Sequence, residues 1–237
     1  MTDPAASTPL ADRLVQSLAE NRTRLEQLMT QESSRAIHEE FLLAESGTLP
    51  DRETRLLRAR STSARAWLRH LAASVAEEWT GAPAGLREPL EQHVMRGIER
   101  FEALSLEEEA ALEREGLSGD PQANTRRVTL GAYMRLFAEG VGEHGSPDGE
   151  SGPEFGKRVT LVMRREAPRR RQVEKEAFDA WSGSSMKGIE DTKVTAAPPE
   201  SENIRVVEAA ACWSYVRILA DSLGEVLDAI PPPPAPD

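Results

Sequence analysis

Residues 203–230 read NIRVVEAAACWSYVRILADSLGEVLDAI, and their spacing decides the fold. Val206, Ala210, Trp213, Val216, Leu219, Leu223, Val226, Leu227 and Ile230 recur at three- and four-residue steps. Those steps place side chains on one stripe of an α-helix. The same rhythm runs upstream. Leu10, Leu14, Leu18, Leu25, Leu28, Met29, Ile37 and Phe41 predict one long helix or two in tandem, ending near Gly47. Leu57, Ala64, Trp67, Leu68, Leu71, Val75 and Trp79 predict a second, opened by Thr48 as cap with Pro50 and Asp51 in its first turn. Leu86, Leu90, Val94, Ile98 and Phe101 predict a third.

Ser105 to Glu108 has the pattern of a capping box and predicts a short fourth helix through Leu112. Asp120-Pro121 then starts a fifth, carrying Val128, Ala132, Tyr133, Leu136 and Phe137. From Gly140 to Gly156 the chain is rich in Gly, Ser, Pro, Asp and Glu, which predicts a mobile loop. Val159, Val162 and Met163 follow in a segment too short to assign, and Val173, Ala177 and Trp181 resume a helical face. The expected fold is all-α: an irregular bundle of about six or seven amphipathic helices, with a flexible linker before the C-terminal helix. An N-terminal bundle over 8–142 would pack against a C-terminal part over 157–230, flexible at 182–203 and followed by a proline-rich tail at 231–237.

The bulk properties narrow the function. With 39% hydrophobic and 29% charged residues the chain is ordinary for a globular protein, and aromatics at 5% leave the core to Leu, Val, Ala and Met. A formal charge of −11 repels phosphate backbones and anionic lipid. Residues 1–7 lack the basic start and apolar run of a signal peptide, and no stretch approaches the ~18–20 apolar residues that span a bilayer. A cytoplasmic protein without a membrane partner is expected. Four lysines among 29 basic residues, beside abundant Ala and Glu, point to a GC-rich bacterial genome. The single cysteine, Cys212, lies within an apolar helix and reads as a small buried hydrophobe.

Motifs for chemistry are missing. The residues three before His38, His70, His93 and His144 are Arg35, Trp67, Leu90 and Val141, so the Glu-x-x-His pattern of helical metal sites does not occur. His38-Glu39-Glu40 lacks the second histidine of His-Glu-x-x-His, because Leu42 stands in its place. The histidines therefore read as surface or core-edge residues. Gly152 to Arg158 imitates a phosphate-binding loop with one residue too few and Arg158 in place of the Ser or Thr, and reads as a loop entering a helix. Glu107, Glu108, Glu109, Glu113 and Glu115 read as a solvated face, with a docking surface for a basic partner as the lesser alternative. No catalytic residue, cofactor or metal ligand is assigned.

One segment reverses the charge. From Arg164 to Lys175 there are six basic residues, Arg164, Arg165, Arg169, Arg170, Arg171 and Lys175, against two acidic ones. Pro168 interrupts it, so it should be an exposed kink. It reads first as a solvated bend with internal Arg–Glu pairing, then as a docking or protease-accessible connector, and last as a nucleic-acid contact. The sequence thus points to a non-enzymatic cytoplasmic interaction module, a regulator, adaptor or inhibitor of a protein partner, controlled through cleavage of this connector. Two alternatives stand beside it: a motif-poor helical enzyme using carboxylates from separate helices, and a nucleic-acid-associated subunit using 164–175.

Overall fold

The structure, a computed structural model, describes residues 8–20, 46, 51–116, 121–145, 149–166, 168, 169, 172, 173, 175, 176 and 199–230, with side chains in the last span from residue 207 on. The described residues form an all-α bundle of seven helices without a strand: α1 Leu10–Glu20, α2 Arg52–Glu78, α3 Arg87–Arg96, α4 Ile98–Arg114, α5 Pro121–Gly145, α6 Gly152–Arg165 and α7 Pro199–Asp228. No helix among them is long and apolar enough to cross a membrane.

α7 organises the bundle. Ala209, Ala210, Ala211 and Cys212 are consecutive and all buried, so more than one side of the helix is enclosed. α1, α2, α5 and α6 all pack against it. Their apolar faces join it in one cluster that includes Leu10, Leu14, Leu18, Trp67, Leu71, Phe137, Phe155, Trp213 and Leu223. The rings of Trp67 and Trp213 stack tilted with centroids 4.6 Å apart. Two serines enter this core at little cost because each hydroxyl donates to its own helix: Ser214 Oγ to Ala211 O at 2.7 Å and Ser222 Oγ to Ile218 O at 2.8 Å. α1 approaches so closely that a Cβ on Gly224 would sit 2.3 Å from the Ala11 backbone. Burial pushes the Cys212 thiol well above its ordinary range, leaving no thiolate to react.

Several expected boundaries move. Asp51 itself caps α2, its carboxylate accepting from Thr54 N at 2.8 Å. The third predicted helix breaks at Gly97, where a side chain would collide with His93 O and Leu136 Cδ1, both 2.8 Å from its Cβ position. The capping-box pattern at Ser105 opens nothing. Ser105 lies inside α4, its hydroxyl donating to Phe101 O at 2.9 Å. α7 begins at Pro199 rather than 203, so the end of the predicted 182–203 linker is helical. The remainder of that linker, the continuation of the first helix to Gly47, the caps at Thr48 and Asp120, and the 231–237 tail lie outside the described residues.

The largest correction concerns the loop predicted over 140–156. α5 continues to Gly145, and α6 starts at Gly152 behind Ser151, whose N and Oγ both donate to Glu154 Oε2 at 3.3 and 2.7 Å. The glycines serve a helix crossing. A Cβ on Gly142 would lie 2.5 Å from Phe155 Cβ, one on Gly152 would lie 2.6 Å from Glu139 O, and one on Gly156 would lie 2.4 Å from Glu139 Cγ. α5 and α6 therefore pack nearly backbone to backbone, which also places Phe155 and Val159 in the core.

Two stability measurements test this packing. Gly156→Ala should lower the unfolding free energy by about 1–3 kcal/mol, because Glu139 is held and cannot move aside. The neighbouring exposed Lys157→Ala should shift it by no more than about 0.5 kcal/mol, read from urea midpoints. Trp213→Ala should cost about 3–5 kcal/mol, since the ring is buried against Trp67. A small loss there would place α7 outside the cooperative core.

Candidate functional site

The arginine-rich segment is placed by the end of α6. Arg164 and Arg165 form its last turn, Glu166 caps it, and Pro168 and Arg169 begin a further helical stretch. Arg164 lies 3.6 Å from Glu108 of α4 and 3.6 Å from Glu115, the residue that caps the end of α4. Arg165 pairs with Glu225 of α7 at 2.5 Å, which raises its pKa, and Arg169 pairs with Asp221 of α7 at 3.1 Å. Lys175 is exposed, while Val173 beside it is buried in the main cluster. Arg170 and Arg171 lie outside the described residues. The three placed arginines are thus exposed but paired, and each such pair contributes only about 0–1 kcal/mol.

Two buried carboxylates escaped the sequence reading. Glu208 of α7 is fully enclosed, with Arg60 of α2 at 2.7 Å and Arg126 of α5 at 2.9 Å. Arg60 also donates to Thr129 Oγ1 at 3.4 Å. Glu139 of α5 is held by both arms of Arg100 at 2.7 Å and by Arg135 at 3.5 Å. Each carboxylate meets arginines, the pairing of a buried structural ion cluster. Spacing gave no signal for these contacts, since Arg60 and Glu208 are 148 residues apart.

The glutamate run is less uniformly solvated than expected. Glu108 is mostly buried, and burial pushes its carboxyl above the ordinary range against the pull of Arg164 and Arg135. Glu107 pairs with Arg135 at 2.9 Å, while Glu109 and Glu113 face solvent. The exposed side of α4 is unusual. Ile98, Glu102, Leu106, Glu109 and Glu113 follow one another at four-, four-, three- and four-residue steps and are all exposed. Ile98 and Leu106 show 61% and 68% of their surface, and Met95 in the last turn of α3 shows 44%. The chief contact of α4 among the described residues is with α5.

A groove of about 540 Å³ opens between α3 and α5, lined by Glu88, Gln92, His93, Arg96, Arg100 and His144 among others. Two histidines expected to be unrelated meet at its edge. His93 on α3 and His144 on the last turn of α5 approach edge to face with ring centroids 5.5 Å apart. His93 Nδ1 lies 3.8 Å from Glu143 Oε2. Burial holds the pKa of His93 below its ordinary value, outweighing the opposite pull of Glu143. His70 sits apart on α2, and His38 lies outside the described residues.

Comparison with protein-family models, with curated proteins and with solved structures finds no match.

The raised pKa of Glu108 sets a pH signature. A carboxyl titrating higher in the folded chain contributes stability that is present below its unfolded pKa near 4.5 and is lost as pH rises through the folded value. Glu108→Gln abolishes that loss. The variant should therefore gain relative to wild type as pH is raised from about 4 to 7 in paired urea titrations. A constant difference across that range would mean that Glu108 titrates as a solvated carboxylate.

Proposed function

We propose that the protein is a non-enzymatic interaction module, a cytoplasmic regulator, adaptor or inhibitor that docks a basic amphipathic helix of a protein partner on the outer face of α4. The observation that carries this reading is the exposed stripe itself. Ile98 and Leu106 are large, apolar and mostly solvent-exposed, and they share their face with Glu102, Glu109 and Glu113. Single exposed apolar residues are commonplace, but here two recur at helical spacing with Met95 beyond them. A partner helix with apolar residues every three or four positions would cover the stripe, and lysines or arginines flanking them would meet the glutamates. Support for the arginine-rich segment as docking site or cleavage switch is thinner, because Arg164, Arg165 and Arg169 already meet acidic groups of α4 and α7. An enzymatic reading has less support too, since the buried carboxylates are matched by arginines.

The test uses a fluorescein-labelled peptide of leucine and lysine in helical heptads, beside a scrambled peptide of the same composition. Wild type should bind the amphipathic peptide, and the scrambled one far less. Ile98→Glu with Leu106→Glu should weaken binding at least about tenfold, or ~1.4 kcal/mol. Leu57→Glu with Leu161→Glu, at two other exposed leucines, should leave it unchanged. Equal binding of both peptides, or no loss in the α4 variant, would overturn the proposal. So would a concentration-dependent dimer of the protein alone that the α4 substitutions dissolve, since the stripe would then serve a second copy.

A further inference from the structure

We propose that His93, Glu143 and His144 form a binding site for a divalent transition metal ion, of which zinc is the best fit, at the edge of the groove between α3 and α5. One ligand atom from each of the three lies within 4.8 Å of the other two. A tetrahedral zinc site with ligand bonds near 2.0–2.1 Å brings donor atoms to roughly 3.3 Å of one another. The remaining difference is small, and it falls on Glu143 and His144, which are exposed and free to change rotamer. His93 is the fixed ligand. Its side chain is 18% exposed, and its ring is seated where Gly140 leaves room: a Cβ there would lie 3.0 Å from the imidazole.

Two further observations point to a cation, beside the direction of His93 Nδ1, which faces Glu143 Oε2 at 3.8 Å. Glu143 and His144 belong to the last turn of α5, where free carbonyls and the helix dipole favour positive charge. Two imidazoles and one carboxylate are borderline donors, suited to zinc, cobalt or nickel and poorly suited to calcium or magnesium. Three protein ligands leave a coordination position for water or an external donor, and the groove that His93 and His144 line gives access to it.

Zinc chloride titrated into metal-stripped protein by calorimetry should give one site per chain. His144→Ala and Glu143→Ala, both exposed positions, should fold normally and weaken that site at least about tenfold, whereas His70→Ala should not. Cobalt(II) should bind in the same place and give the intense visible absorption of a low-symmetry, four- or five-coordinate ion, and zinc should displace it. Metal held unchanged by both variants, no saturable binding by wild type, or equal competition by magnesium would each overturn the assignment. Should His93→Ala fail to fold, the histidine ring resonances of wild type provide the check. Zinc must perturb those of His93 and His144 and leave His70 unmoved, and the reverse pattern would overturn the site.

Discussion

A single enclosed carboxylate constrains how the bundle closes. Glu208 sits on the helix at the centre of the fold and accepts from Arg60 of α2 and Arg126 of α5, so three helices converge on one charge. Taking that charge from water is expensive, and the pairs return little more than the cost. Losing one partner is another matter: an uncompensated buried charge costs about 3–5 kcal/mol. Sliding α7 by one turn would carry Glu208 away from Arg60 and Arg126 and strand the carboxylate and both arginines. Apolar burial drives the bundle together, while this cluster restricts the register in which α7 can sit. Glu139 plays a comparable part for α5, bracing it to α4 through Arg100.

The sequence made the existence of helices legible because apolar periodicity reports directly on which faces are buried. It was weakest wherever one residue type has two uses. Glycine marks a turn when its backbone must adopt positive φ, as at Gly116 (φ 64°), and a helix contact when a neighbour leaves no room for a Cβ, as at Gly152 and Gly156. Local composition does not distinguish these, so a close helix crossing read as a loop. Serine is similar: at Ser151 it stands at a helix start, while at Ser105 it donates back into a continuing helix. α7 read as a helix with one buried stripe because its small residues, Ala209 to Ala211, look neutral until other helices surround them.

The candidate sites followed the same logic. The arginine run was conspicuous as composition, but its acidic partners Glu108, Asp221 and Glu225 come from two other helices. The exposed stripe of α4 is half visible in the sequence: its glutamates stand out, whereas the spacing of Ile98 from Leu90 and Val94 predicts one shared helical face. His93 and the Glu143–His144 pair are separated by about half a hundred residues and match no motif spacing. Only the packing of α3 on α5 brings them together. Gly140 is the one sequence feature that hints at the meeting, and its meaning appears only once the ring beside it is known.

The pairing of α1 with α7 bears on how the chain is made. Leu10 N donates to Asp228 Oδ2 at 2.9 Å across 218 residues, and Gly224 meets the Ala11 backbone directly. On the ribosome α1 emerges before α7, so its leucines meet α2 earlier but wait for α7 to complete their cover. Until then Leu10, Leu14 and Leu18 remain an incompletely covered apolar strip, the kind of surface that nascent-chain chaperones hold. Contacts so distant in sequence are also slow to form, because chain closure must come before the packing that rewards it. The architecture therefore ties completion of the bundle to the emergence of its central helix.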